Sequence, residues 1–176
     1  MGRGRLGAAA GAVNAQAFAG RAEFQRLLVE ALCWACTEGL RELHAWDASF
    51  VDWPLSDATA LAALTGWVRP GRQLHLLAQQ YDDIQRRHPR FVRWRRDHAH
   101  GVTARALDPE LRLEGAPEGL LLAVGTQAAL SLRLFDRYLW RGEISLGAAE
   151  HRRGLEWFDA ATQRSSDSFA PTTLGL

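Results

Sequence analysis

The sequence contains no lysine, and all 21 of its positively charged side chains are arginine. This absence excludes a Walker-type phosphate-binding loop, because that loop places a lysine on the nucleotide phosphates. It also excludes a Schiff-base lysine for pyridoxal phosphate or aldol chemistry, and the lysine that protein kinases require. The sequence therefore predicts no activity that depends on a lysine side chain.

Cysteine is scarce, with only Cys33 and Cys36 in 176 residues. Two cysteines are too few for a disulfide framework, and a zinc site would need two further ligands. Both lie late in a predicted helix, whereas a redox pair starts at a helix N-terminus, where the thiol pKa falls. We interpret both as small apolar side chains of the core.

Long apolar runs are also missing, since no stretch approaches the roughly 18 residues that a membrane span requires. The net charge of +1 gives no overall attraction to nucleic acid or anionic membranes, so such binding would need a local patch. Residues 1–19 faintly resemble a secretory signal, but their apolar part is mostly alanine and glycine. We interpret them as a flexible N-terminal arm and predict a cytoplasmic protein.

From residue 20 onward, segments with helical periodicity alternate with short apolar segments that are typical of strands. Apolar residues recur at helical spacing over 24–35. Either Ser56 or Asp57 caps a second helix, and Pro89 opens a later one. We predict strands at 40–46, 73–78, 102–107, 120–124, 129–135 and 138–145, and a last helix at 148–164.

The resulting order, α-β-α-β-α-β-β-β-β-α, predicts a single α/β domain. Its sheet is expected to be mixed, parallel in the first half and antiparallel in the second, with helices on both faces. We place this domain at residues 20–164, after the arm at 1–19 and before a C-terminal tail at 165–176. Leu174 and Leu176 are the candidates for docking that tail onto the domain.

Three short sequences, together with this order of elements, carry a resemblance to a known family. They are Trp53-Pro54-Leu55, Arg87-His88-Pro89-Arg90-Phe91 and Thr172-Thr173-Leu174-Gly175-Leu176. On these residues the chain resembles a small uncharacterised proteobacterial family, which is in turn similar to one half of the phospholipase-D-like fold. The resemblance covers about residues 20–176.

The family's catalytic motifs are absent from this chain. Active members carry a His-x-Lys motif with a later aspartate, followed by a Gly-Ser-x-Asn element. The matching region, 120–124, reads Leu-Leu-Leu-Ala-Val, none of the six histidines lies there, and no Gly-Ser-x-Asn occurs. The resemblance thus implies the fold, while the residues exclude the family's phosphodiesterase reaction, and no catalytic residue carries over.

The resemblance also implies a homodimer, because two half-sites of that superfamily meet across a dimer or a pseudo-dimer. We expect the interface on the face that would have carried the lost catalytic strand. In this chain that face is the apolar segment 120–124.

Aspartates follow the ends of the first two predicted strands. Asp47 and Asp52 follow the first strand, beside Trp53, and Asp82 and Asp83 follow the second. Open α/β sheets bind ligands at this edge, and converging carboxylates would hold Mg²⁺ or act as acid and base. These five residues are a candidate ligand site, although aspartates in such places also cap helices and organise turns.

The one marked charge anomaly is a segment with seven arginines and a single acid, Asp97. The arginines stand at positions 86, 87, 90, 93, 95, 96 and 105. On the helix in this segment, Arg90 and Arg93 lie opposite the apolar stripe, with Arg96 to one side. With Arg86 they are a candidate phosphate or nucleic-acid site, because guanidinium groups bind phosphate bidentately. A solvated face with an Arg93–Asp97 pair, or a partner interface, is the alternative.

His98 and His100 have the spacing of a metal-binding pair. At the end of a helix, however, their rings diverge by roughly 200°, and imidazoles near helix C-terminal carbonyls are favourable without a metal. We therefore predict neither a metal nor a cofactor.

The leading hypothesis is a non-catalytic phospholipase-D-like module that binds a phosphate-bearing ligand, nucleic acid or a protein partner. One alternative is a metal-dependent hydrolase that uses the carboxylates at the strand ends. The other is a purely structural dimerisation module.

Overall fold

A computed structural model describes residues 13–126 and 128–171 of the chain. The strands are β1 Gln16–Ala19, β2 Glu42–Asp47, β3 Gln73–Ala78, β4 Val102–Leu107, β5 Gly119–Val124, β6 Ala129–Asp136, β7 Arg141–Ser145 and β8 Ser165–Asp167. The helices are α1 Arg21–Thr37, α2 Ala58–Trp67, α3 Ile84–Arg87, α4 Pro89–Asp97 and α5 Ala148–Gln163, with a 3₁₀ turn at Ala99–Gly101. None of the helices in these described ranges has the length and hydrophobicity that a bilayer crossing needs.

All eight strands join one sheet in the order β1-β7-β6-β5-β2-β3-β4-β8. The neighbours β2, β3 and β4 run parallel, and every other neighbouring pair is antiparallel. The α/β class and the mixed sheet are therefore confirmed.

Helices cover both faces of this sheet, because its central strands are apolar on both sides. On one face, residues of α1, α2 and α4 form a core with Leu43 and Leu74. On the other, Phe158 of α5 packs with Trp46 and Leu120. Gly154 brings α5 close to the sheet, since a Cβ there would lie 2.9 Å from a methyl carbon of Leu122.

Both boundaries of the predicted domain move outward in the structure. Val13 is buried, and Gln16–Ala19 form β1 on the edge of β7, so the arm predicted at 1–19 includes an edge strand. The predicted tail begins with β8, which pairs with β4. β1 has four residues and β8 has three, so pairing with a neighbouring strand rather than hydrophobic periodicity defines them. Residues 1–12 and 172–176, with Leu174 and Leu176, lie outside the described residues.

The dimer interface expected at 120–124 needs correction. β5 is a central strand between β2 and β6, and Leu120, Leu121 and Leu122 have no solvent exposure within a single chain. The chain's own helices cover both sides of β5, so this apolar segment is core and offers no surface to a second copy.

Candidate functional site

The arginine-rich segment folds into α3 and α4, which are separated at Pro89. Proline fits the first turn of α4, where its missing N–H costs no helical hydrogen bond. Phe91 and Trp94 are buried. His98 stacks on Trp94 at 4.9 Å between ring centroids and donates its Nδ1–H to the Trp94 carbonyl at 2.9 Å. Phe91 and Trp94 therefore form the inward side of α4, as predicted. The His98 ring contacts the end of the helix and does not pair with His100, which is exposed.

The exposed arginines of α3 and α4 form a set that we call the basic face. Its members are Arg86, Arg87, Arg90, Arg93 and Arg96. Arg86 pairs with Asp83 at 2.6 Å. Within residues 13–126 and 128–171 the other four make no ion pair, and the Arg93–Asp97 pair considered from the sequence does not form. Four guanidinium groups therefore face solvent without a carboxylate partner among the described residues.

A groove of about 300 Å³ lies between α4 and the segment that follows β8. Arg93 and Arg96 line one side, and Phe169 and Pro171 line the other. Phe169 stacks on Tyr81 with ring centroids 5.1 Å apart. The basic face thus borders a concave surface that combines guanidinium groups with an aromatic ring.

Two arginines of the same segment are structural rather than part of the basic face. Arg95 is 5% exposed, its Nε has no hydrogen-bond partner among the described residues, and its Nη1 reaches only the Ala99 carbonyl at 3.4 Å. Burial lowers the pKa of Arg95. Arg105 pairs with Asp167 of β8 at 2.6 Å and donates to the Ser165 hydroxyl at 2.7 Å. Sequence periodicity did not single out either residue.

Asp47 and Asp52 lie close together, and both pair with Arg137. Asp47 is buried at the end of β2, where one carboxylate oxygen accepts the Ser49 and Phe50 backbone N–H groups at 3.0 and 2.9 Å. Its other oxygen accepts the Trp53 indole N–H at 2.9 Å and pairs with Arg137.

Asp52 forms ion pairs with Arg21 at 2.7 Å and with Arg137 at 3.5 Å. Between them, Asp47 and Asp52 therefore have two arginine partners, and Asp47 also holds the loop after β2. The geometry accounts for both carboxylates as structural groups.

Asp82 and Asp83 occupy the turn before α3. Asp83 is the partner of Arg86, and Asp82 is exposed on a cavity of about 460 Å³ beside Gln79 and Gln80. No group of three metal-ligand side chains in the described ranges includes Asp47, Asp52, Asp82 or Asp83.

A second basic region lies at the opposite, N-terminal edge of the parallel strands, where sequence reasoning did not look. A cavity of about 750 Å³ is lined by three arginines, Arg41, Arg69 and Arg72, and by one acid, Glu38. We call it the basic pocket. Partial burial and the Arg69 charge lower the pKa of Arg72. The sequence did contain a signal for this pocket. Arg41 and Arg72 each directly precede a parallel strand, so both must lie at one edge of the sheet.

A histidine cluster lies on the face of the sheet that α5 covers, and sequence reasoning missed it as well. The rings of His44 and His75 stack at 4.7 Å, and His44 Nε2 lies 3.6 Å from Glu42 Oε2. Burial, and then the charges of His75 and His151, lower the pKa of His44 to about 3. Burial also lowers the pKa values of His75 and His151. The imidazoles are therefore neutral at neutral pH.

Cys33 and Cys36 are free thiols in the last turns of α1. Burial raises the pKa of Cys36 to about 12 and also raises that of Cys33. A reactive pair would show the opposite shift, so the cysteines act as small packing side chains.

No protein-family model and no curated protein matches this sequence. Among solved structures, the chain is similar to TrmBL2, an archaeal chromatin protein whose structure shows a novel mode of DNA binding. The TM-score is 0.54 at 14% sequence identity, and the match covers 88% of this chain and 54% of that chain. This chain thus spans about half the length of the TrmBL2 chain, and the likeness is one of fold.

Proposed function

We propose that this chain is a non-catalytic module that binds nucleic acid through its basic face. The observation that carries the proposal is the set of exposed arginines without carboxylate partners among the described residues: Arg87, Arg90, Arg93 and Arg96. Guanidinium groups bind phosphate through parallel N–H donors, and neutralising phosphates releases counterions, which supplies much of the affinity. A local patch of this kind is what a chain with a net charge of +1 would need.

Two further observations support the proposal. The groove beside Arg93 and Arg96 contains Phe169, and bases stack on aromatic rings in sequence-tolerant binding of single strands. The fold is also similar to that of TrmBL2, a chromatin protein whose structure shows DNA binding.

The phospholipase-D-like relationship is part of the same proposal. A degenerate half of that superfamily would keep the sheet and lose the His-x-Lys motif, and this chain has no lysine and an apolar β5. A half without that motif fits the proposed binding role, and the pairing of halves makes a homodimer the expected assembly. A cytoplasmic location remains a prediction from composition.

The test is a titration of labelled double- and single-stranded oligonucleotides across a series of salt concentrations. We expect Arg90→Ala with Arg93→Ala to weaken binding roughly tenfold or more at about 50 mM salt. For duplex DNA the same variant should flatten the slope of log affinity against log salt by about 2, because each lost phosphate contact removes about 0.9. The matched control is Arg152→Ala with Arg164→Ala, which removes two exposed arginines on and just after α5.

Equal binding by the two double variants would contradict the basic face as the site. Absence of binding by the wild-type chain at about 50 mM salt would contradict nucleic-acid binding altogether.

The basic pocket favours a second candidate, a small phosphate-bearing ligand. Three arginines around a cavity of about 750 Å³ suit a compact anion better than a polymer. A pyrophosphate titration followed by calorimetry tests this candidate. We expect Arg69→Ala with Arg72→Ala to abolish that binding and to leave oligonucleotide binding unchanged. Pyrophosphate binding that persists in this variant would exclude the basic pocket.

A further inference from the structure

The face of the sheet under α5 carries three metal-ligand side chains that the proposed function does not use. Glu42 and His44 stand two residues apart on β2, so both side chains project from the same face. In the parallel register His44 pairs directly with His75 of β3, which brings a second imidazole to that face. The cluster is thus a product of strand alternation and strand register.

Their ligand atoms are close enough to share one ion. One ligand atom from each of Glu42, His44 and His75 lies within 4.8 Å of the other two, and His44 Nε2 lies 3.6 Å from Glu42 Oε2. Around a tetrahedral zinc ion, ligand atoms stand roughly 3.3–3.5 Å apart, given bonds of about 2.0–2.2 Å. The rings of His44 and His75 are stacked with an interplanar angle of 19°, so metal binding requires them to rotate until one ion lies in both ring planes.

The buried imidazole of His44 has one ring nitrogen, Nε2, near Glu42 and the other, Nδ1, without a partner in the described part of the chain. The side chain of His44 is only 7% exposed, and its Nδ1 has no hydrogen-bond partner among the described residues. Buried polar atoms are nearly always paired, so an orphaned imidazole nitrogen needs an explanation. His151 of α5 is 6% exposed and has an unpartnered Nε2.

The surroundings of His75 resemble the support that proteins give to metal-binding histidines. Its Nδ1 lies 2.9 Å from the Thr103 hydroxyl. If Nδ1 carries the proton and donates it there, Nε2 keeps the lone pair that binds a metal. A cavity of about 240 Å³ adjoins His75 and Thr103, and Glu42 and His44 do not line it.

We propose that Glu42, His44 and His75 bind one divalent transition metal ion, with Zn²⁺ preferred. Two imidazoles and one carboxylate suit zinc and its neighbours in the first transition series, whereas Mg²⁺ and Ca²⁺ prefer oxygen ligands alone.

The test titrates Zn²⁺ into full-length protein stripped of metal with a chelator, in the absence of nucleic acid, and follows binding by calorimetry. We expect one ion per chain with micromolar or tighter affinity. Glu42→Gln should weaken binding by at least about tenfold and His75→Gln should abolish it. Co²⁺ should give a visible d–d absorption in the wild type that both variants lose, and excess Mg²⁺ should not compete.

His100→Gln is the matched control, because it removes an exposed histidine outside the cluster. Replacing buried His44 risks unfolding the chain, so Glu42→Gln, at a half-exposed side chain, decides the outcome, with circular dichroism to verify its fold. Zinc binding that Glu42→Gln and His75→Gln leave unchanged would overturn the proposal, as would no binding to the wild type. The basic-face variant should keep zinc binding, so this proposal and nucleic-acid binding fail separately.

Discussion

Asp47 is the residue on which the loop after β2 depends. Its carboxylate accepts two backbone N–H groups and the Trp53 indole, and it is the buried partner of Arg137. In Asp47→Asn the charge disappears and an amide donor faces groups that are themselves donors. Removing one partner of a buried pair costs about 3–5 kcal/mol. We therefore expect the free energy of unfolding to fall by about 3 kcal/mol, as measured by urea denaturation.

Asp52→Asn is the control for that measurement. Asp52 shares Arg137 but lies nearer the surface, and its partner Arg21 is half exposed. Such a pair contributes at most about 1 kcal/mol. Equal losses in the two variants would show that Asp47 is not the organising carboxylate of the loop.

At the scale of a single element, α2 shows how one side chain starts a helix. Asp57 accepts the Thr59 and Ala60 N–H groups at 2.9 and 3.0 Å, which decides between the two caps that the sequence left open, Ser56 and Asp57. Asp57→Ala should cost about 1 kcal/mol of unfolding free energy. Asp57→Asn keeps an acceptor and should cost no more than a few tenths. Thermal denaturation of both variants checks the difference, and equal losses would argue against the cap.

The elements that sequence reasoning could locate are those with a strong local signal. β3 has the predicted bounds because a short, largely apolar run between helices marks a buried parallel strand. β4 also has the predicted bounds, with Val102, Ala104 and Ala106 alternating with more polar residues. Pro89 likewise marked the start of α4 in the sequence, and α4 begins there in the structure. β1 and β8 carried no such signal, because a short edge strand is defined by its neighbour and not by its own periodicity.

The same distinction explains what sequence reasoning could recover of the candidate sites. Exposure of the basic face follows from helical periodicity around Phe91 and Trp94, and it was predicted. The partnership of Asp47 with Arg137 joins residues 90 apart in the chain, and the His44–His75 pair depends on the register of β2 with β3. Neither is visible in any local pattern, because tertiary packing alone brings those side chains together.

For the whole molecule, the fold restricts which surface can form the interface of the expected homodimer. β5 is covered on both faces, so an interface must use surface that the helices leave open. Three of the exposed large apolar side chains among the described residues lie at the β6–β7 turn: Phe135 at the end of β6, and Tyr138 and Leu139 in the turn itself. The fourth, Leu146, follows β7. Exposed apolar groups close together in the chain, as at this turn, are candidates for an interaction surface. We expect light scattering to give the mass of two chains at micromolar concentration.

Leu139→Glu should convert this dimer to a monomer, because a carboxylate buried in an apolar contact loses its hydration without gaining a partner. Ala149→Glu is the matched control, since it adds the same charge at an exposed position on α5. A wild-type mass of one chain would contradict the homodimer. A dimer that persists in Leu139→Glu would instead place the interface away from the β6–β7 turn, with the edge strand β1 as the next surface to test, because its outer side has no neighbouring strand in the described sheet.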